Sequence, residues 1–270
     1  MNPKILFTDL DATLLTDQKD IEPEVLDAIH TMNKKGHKFV LASGRPLASV
    51  LQLAEKYGFT QSGFYITSFN GALIYDCYEQ KELRRIGIPH SRVRAVFDAA
   101  KERGIHVHTY TDTHVLTEKM SDMLLYYCEH IGLPYRIVDD VIKELDFEPQ
   151  KIIVAALDDH ALLETFREEM RPILEPALSS VFSNPRLLEY GNPDSTKGAA
   201  LRFLCSYCNI PVENSVAAGD EENDIPMIEA AGIGVAMANA KESVKKAADF
   251  VTVNDNNHGG MKEIIERFLQ

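Results

Sequence analysis

Asp9-Leu10-Asp11-Ala12-Thr13 places two carboxylates two residues apart, directly after a short apolar run that begins at Ile5. Carboxylates so close repel each other unless a cation lies between them or one keeps its proton. A hard divalent cation such as magnesium suits an all-oxygen ligand set. Alone, the pair fits equally well as a loop-start aspartate and a turn aspartate. A second group, Ser43-Gly44-Arg45, offers a hydroxyl, a glycine amide and a guanidinium, a set able to hold phosphoryl oxygens; its plain alternative is a strand-end turn with a helix cap. Lys197, in Ser195-Thr196-Lys197-Gly198, is a point charge suited to a phosphoryl group, and by itself is simply a helix lysine in water. Gly219-Asp220-Glu221-Glu222-Asn223-Asp224 can complete a metal site and orient its neighbours, or merely supply acids to a helix N-terminus.

The elements that carry these groups give them a common place. Apolar segments at 4–9, 38–43 and 215–219 read as buried strands, each followed by a helical stretch: Pro23 to Lys35 closed by Gly36, Leu47 to Tyr57 closed by Gly58, and Asp224 to Ala231. That β-α-β-α order with apolar strands predicts a parallel sheet covered by helices. In such sheets ligands collect beyond the carboxyl ends of the strands, where three of the four groups stand. Between about Leu83 and Tyr190 the strands alternate and are more polar, as in Ile105-His106-Val107-His108-Thr109-Tyr110. Helices near Ser91 to Arg103 and His160 to Met170 interrupt them. Alternation predicts an antiparallel sheet with one face packed on helices. The expected fold class is therefore α/β, with a parallel-sheet core from residues 1–82 and 191–270 and an inserted α+β cap at 83–190. His106 and His108 share one face of a cap strand, and a surface role is expected for them rather than substrate contact. Glu189 and Tyr190, near the return to the core, are weaker substrate-contact candidates.

Composition narrows the partners. The formal net charge of −13 disfavours a nucleic-acid surface, which is built from clustered Lys and Arg, but leaves room for a local anion site. No apolar run approaches the length of a membrane span, and the start of the chain lacks a secretory layout, so a cytoplasmic protein with no membrane partner is expected. Four cysteines include one close pair, Cys205 and Cys208, but no second pair that would complete a zinc site; they are expected as packed thiols on a helix.

In order and type the four groups resemble the motifs of the haloacid dehalogenase superfamily of phosphohydrolases: D-x-D-x-T, a hydroxyl after a strand, a lysine, and G-D-x-x-N-D. Ser43-Gly44-Arg45, Asn70-Gly71-Ala72 and the large cap between the second and third motifs resemble its Cof-type sugar-phosphatase branch. The resemblance implies a Rossmann-like core and a Mg2+-dependent phosphatase acting on small phosphorylated metabolites such as sugar phosphates or phosphorylated cofactors. It implies Asp9 as nucleophile and a protonated Asp11 as acid, then base. The metal would be held by the Asp9 side chain, the Asp11 carbonyl and Asp220. Ser43, Lys197 and Asn223, with the amides of Leu10 and Gly44 and with Arg45, would meet the phosphoryl oxygens. Thr13 and Asp224 would stand behind these groups, Asn70 would touch substrate or form a turn, and the cap would close over the site. A monomer or weak homo-oligomer is expected. A phosphomutase of the same superfamily, a receiver-like module and an idle phosphate-ester binding protein are the competing readings. One departure stands out: the family usually has glycine where this chain has Ala12, tolerable at negative φ and strained in a left-handed backbone.

Overall fold

The computed structural model describes residues 2–269. The chain opens with β1 (Ile5–Thr8), α1 (Pro23–Lys34), β2 (Lys38–Ala42), α2 (Leu47–Lys56), β3 (Phe64–Ser68), β4 (Leu73–Asp76) and β5 (Lys81–Arg85). The middle holds α3 (His90–Glu102), β6 (His106–Tyr110), β7 (Val115–Thr117), α4 (Asp122–Ile131), β8 (Tyr135–Ile137), α5 (Val141–Glu144), β9 (Lys151–Ala155), α6 (His160–Leu174), β10 (Ser179–Asn184) and β11 (Leu187–Gly191). The chain closes with α7 (Lys197–Tyr207), β12 (Ser215–Gly219), α8 (Ile225–Ala230), β13 (Ile233–Ala236), α9 (Glu242–Ala247), β14 (Phe250–Val251) and α10 (Gly260–Phe268). Two compact units result. One comprises the residues up to Arg84 with those from Thr196 on, and the other is Arg85–Ser195, where the sequence reading put the cap at 83–190.

In the first unit an eight-stranded sheet runs β14-β13-β12-β1-β2-β3-β4-β5. β1 lies parallel between β2 and β12, with Thr8 opposite both Leu41 and Ala218. This register is what places the next residues together: Asp9 after β1, Ser43 after β2, and Asp220 after β12. β1 is also where the strand order reverses, the crevice position of open α/β sheets. β1, β3 and β12 are buried throughout, because helices cover both faces of a parallel sheet. On one side Leu6, Phe39, Ile66, Val216 and Val235 pack with α1, α2 and α10; on the other Ile5, Phe7, Val40 and Ala217 pack with α7 and α8. Burying one such Leu, Ile or Phe side chain contributes about 1.5–3 kcal/mol. Proline in the first turn of α1 and Gly36 just beyond it at φ +94° set that helix's ends.

In the second unit a six-stranded sheet runs β10-β11-β9-β6-β7-β8. Its pairs are antiparallel except β7 with β8, which is parallel; the sheet is therefore mixed rather than purely antiparallel. Helices α3 and α6 bury Val96, Phe97, Leu163 and Phe166 against Val107, Ile152, Val154 and Leu188 of one face. Besides the short α5, the expectation of only two helices in this segment fails at α4. Its signals were local ones: Ser121 caps its start by accepting from the Leu124 amide at 3.1 Å, and Gly132 ends it in a left-handed conformation.

The surface role expected for His106 and His108 fails for His108, while His106 is half-buried. His108 exposes 0% of its surface, because α4 covers that face of the strand. Ser121 Oγ, His106 Nδ1, His106 Nε2 and His108 Nδ1 form a chain with links of 2.9 Å, and Tyr110 and Tyr127 continue the cluster. Burial pushes the His106 imidazole down to about 4 and holds His108 well below its ordinary value. Glu189 is likewise buried, in an ion pair with Lys151 at 2.5 Å.

Candidate active site

The Asp9 amide donates to the Ala218 carbonyl at 3.0 Å, tying the end of β1 to the end of β12. Its side chain exposes only 13% and accepts from Lys197 Nζ at 2.5 Å. Lys197 is the first residue of α7, which starts where Thr196 Oγ1 accepts from the Ala199 amide at 3.1 Å. A cation there opposes the helix dipole, and its side chain is fully buried. Both costs are offset by two carboxylates, since Nζ also donates to Asp224 Oδ1 at 2.6 Å. Burial alone would drive the ammonium toward neutrality; Asp224 and Asp9 outweigh it and hold Lys197 above its ordinary value. Gly198 allows the helix to sit this close, because a Cβ there would come within 2.2 Å of the Pro226 carbonyl oxygen.

Asp224 reaches the site through a short turn after β12. Its Oδ2 accepts from the amides of Asp220 and Glu221 at 3.0 and 3.1 Å. Both of its oxygens are thus committed, which makes it the anchor of Lys197 and of the Asp220 backbone. Gly219 makes room: a Cβ there would meet Asp224 Cβ at 2.4 Å. Asp220 in turn accepts from the buried Thr13 hydroxyl at 2.7 Å.

Asp9, Asp220 and Asp224 bring carboxylate oxygens within 4.8 Å of one another. Three carboxylates against the single ammonium of Lys197 leave two negative charges. Burial pushes Asp220 up to about 6, against the Thr13 hydrogen bond, with Asp224 and Glu221 adding to the rise. Asp9 is also held above its ordinary value, by burial first and by Asp224 and Asp220 against the pull of Lys197. An all-oxygen donor set with a charge deficit of two fits a hard divalent cation.

Asp11 stands differently. Its side chain is 44% exposed and accepts two bonds from Arg45, Nε to Oδ2 at 3.0 Å and Nη2 to Oδ1 at 2.6 Å, and one from Lys19 Nζ at 2.8 Å. Burial would raise its carboxyl, but Arg45 and Lys19 together hold it below the ordinary range. Arg45 was expected on phosphoryl oxygens and Asp11 protonated; here the guanidinium lies on Asp11 and favours the carboxylate. Ala12 has φ +57°, the left-handed case that costs an alanine about 1–2 kcal/mol. Its carbonyl accepts from Asn239 Nδ2 at 2.8 Å.

The second group of polar residues meets from three loops. Ser43 is buried beyond β2, with its amide on the Thr67 carbonyl at 2.8 Å and its hydroxyl accepting from the Arg45 amide at 3.1 Å. Asn70, at φ +57°, donates its amide to the Ser43 carbonyl at 3.0 Å. Its Oδ1 accepts from Asn223 Nδ2 at 3.2 Å and lies 3.1 Å from where a Cβ on Gly44 would stand. Ser43, Gly44, Asn70 and Asn223 therefore border one patch, while Leu10 is a fully buried core residue whose backbone alone faces the turn hydrogen bonds. Lys19 and Asn239 are the site neighbours that spacing did not single out. Neither belongs to a motif, and each arrives through loop geometry.

Known proteins match this chain over nearly its whole length. The profile of a family described as haloacid dehalogenase-like hydrolase matches residues 6–265. A Bacillus subtilis 5-amino-6-(5-phospho-D-ribitylamino)uracil phosphatase, YitU, is 26% identical, with 99% of this chain and 97% of that protein covered. The B. subtilis phosphatase YwpJ is 27% identical over 95% of this chain and 96% of its own. Among solved structures, a haloacid dehalogenase-like hydrolase from Bacteroides thetaiotaomicron superposes with a TM-score of 0.91 at 28% identity, covering 98% and 99% of the two chains. A Thermotoga maritima protein, TM0651, does so with 0.88 at 31% identity over 98% and 97%. Among the described residues no helix is long and apolar enough to cross a membrane.

Proposed function

Since the chain belongs to the haloacid dehalogenase-like hydrolase family, in its Cof-type branch, and is a phosphatase like its curated relatives, we propose that it hydrolyses small phosphate monoesters through a phosphoryl group carried on Asp9. The carrying observation is the contact of Asp9 Oδ1 with the buried Lys197 ammonium at 2.5 Å, beside the Asp220 carboxylate. One Asp9 oxygen is paired and positioned, and the other is the nucleophile.

In the first half-reaction an Asp9 oxygen bonds phosphorus as the ester P–O bond breaks, and the electron pair departs with the leaving oxygen. That oxygen takes a proton from Asp11. In the second, water attacks phosphorus, gives a proton to Asp11, and the Asp9–phosphorus bond breaks to return the carboxylate and inorganic phosphate. Lys197, Ser43 and Asn223, with the amides of Leu10 and Gly44, receive the three phosphoryl oxygens, where positioning and charge dominate the rate. Asp9 and Asp220, with the Asp11 carbonyl, would hold Mg2+, which when bound supplies positive charge against the phosphoryl oxygens. Thr13 and Asp224 orient Asp220 and Lys197.

For the paired Asp11 to act as acid, Arg45 has to release its Oδ2 and that oxygen has to take a proton from solvent before the ester bond breaks; the incoming phosphoryl dianion is the natural competitor for the guanidinium. The substrate class is phosphorylated sugars or phosphorylated cofactor precursors; YitU, named for a phosphorylated ribitylamino compound, supports it. A panel of such esters assayed for free phosphate with Mg2+, with and without a chelator, tests the proposal. Release by wild type and none by Asp9→Asn is the expected result; equal release by both would remove Asp9 from the mechanism.

A further inference from the structure

We infer that Lys19 is a positioning residue for Asp11, one that fixes the proton-donating carboxyl where a poor leaving group needs it; this rests on the reading of Asp11 as proton donor. The loop that carries Lys19 is built to aim it. Lys19 sits at φ +61°, a conformation that costs an ordinary L residue about 1–2 kcal/mol. The loop closes on itself through the Thr16 amide to the Asp20 carbonyl and the Lys19 amide to the Thr16 carbonyl, both at 2.9 Å. Before Lys19 it is pinned by the Asn256 side chain, on the Leu15 carbonyl at 3.0 Å, and by Asn257 Oδ1, which takes the Asp17 amide at 2.9 Å. After Lys19 it is pinned by Asp20, which receives Lys56 at 2.5 Å and the Tyr57 hydroxyl at 2.9 Å.

The outcome of that construction is one contact, Lys19 Nζ to Asp11 Oδ1 at 2.8 Å, with side chains 58% and 44% exposed. An ion pair so exposed adds only about 0–1 kcal/mol to stability; the turn's own hydrogen bonds hold Lys19 left-handed, and what the contact determines is where the Asp11 carboxyl stands. Arg45 and Lys19 converge on the same Oδ1, and only Arg45 also holds Oδ2, so when the guanidinium turns to the phosphoryl group Oδ2 is freed to carry the proton while Lys19 keeps the carboxyl oriented through Oδ1. With Lys19 gone, Asp11 would be free to swing at that moment. Orientation matters for an alkyl ester, whose leaving oxygen needs a proton, and little for a nitrophenyl ester, whose leaving oxygen does not.

The test compares glycerol 3-phosphate with p-nitrophenyl phosphate in wild type, Lys19→Met, Lys19→Arg and Asp11→Asn, each with Mg2+. Lys19→Met is expected to lower kcat/KM for the alkyl ester by about tenfold or more, as displacements of about 1 Å do. For the nitrophenyl ester the loss stays below about threefold, and Lys19→Arg restores most of the alkyl activity. Equal losses on the two esters, or none on either, would overturn the inference. Asp11→Asn separates the causes. If it shows the leaving-group bias and Lys19→Met does not, only the role of Lys19 falls; if Asp11→Asn lacks the bias, the proton-donor reading falls and the inference with it.

Discussion

The ammonium of Lys197 lies 2.6 Å from Asp224 Oδ1, and neither side chain exposes any surface. Removing one partner of such a pair leaves a buried charge uncompensated, at a cost of about 3–5 kcal/mol. Lys197→Met is therefore expected to unfold well below wild type in a denaturant titration and to lose phosphatase activity. Asp224→Asn should do both less severely, because Asp9 still neutralises the lysine. Wild-type stability in Lys197→Met would show that the pair is not what holds α7 against the turn after β12.

Ala12 offers a change in the opposite direction. Its φ of +57° suits glycine, so Ala12→Gly removes about 1–2 kcal/mol of strain and returns about 0.4–1 kcal/mol of unfolded-state entropy. A net gain near 1 kcal/mol should raise the thermal midpoint by about 2 °C with catalysis retained. A lowered midpoint would mean that the alanine methyl makes a contact worth more than the strain.

These two positions show how the sequence could and could not be read. The carboxylate motifs, the hydroxyl after β2 and the lysine opening α7 were legible because parallel strands place their next residues together whatever lies between them in sequence. The left-handed turn at Ala12 was legible only as a condition. What Arg45 touches was not legible, because a guanidinium beside a phosphate site and beside an aspartate looks the same in a string of letters. Lys19 left no trace at all, since its aim depends on Asn256, Asn257 and Lys56 meeting one loop. In the second unit, His106 and His108 were placed on one face correctly, and His108 at the surface wrongly, because the helix over that face went unread.

Those histidines predict a pH dependence of stability. Burial holds His106 near 4 and His108 well below its ordinary value, while an unfolded imidazole titrates near about 6.5. Below that pH the unfolded chain binds more protons, so stability is lost as pH falls from about 6.5 toward 4, by up to about 1.4 kcal/mol per unit for each imidazole. Hydrogen exchange at Val107 and Thr109 between pH 7 and 5 should show it. Replacing His108 with Gln should flatten the slope; an unchanged slope would place the effect elsewhere.

The Thr13 hydroxyl on Asp220 at 2.7 Å predicts a metal phenotype without loss of any ligand. Partners that orient a metal ligand typically carry 10–100-fold in affinity. Thr13→Val should therefore raise the Mg2+ concentration for half-maximal activity by about tenfold or more, while saturating Mg2+ restores much of the rate. A reduced rate with unchanged Mg2+ dependence would contradict the assignment of Asp220 to the metal.

The phosphoryl group on Asp9 is best caught directly. The protein, mixed with Mg2+ and an excess of a hydrolysable phosphate ester and quenched in acid within milliseconds, should yield one phosphorylated peptide. That peptide is the one containing Asp9, its adduct is released by hydroxylamine, and it is missing from Asp9→Asn. A phosphoryl adduct on any other residue, or steady phosphate release from Asp9→Asn, would contradict the account.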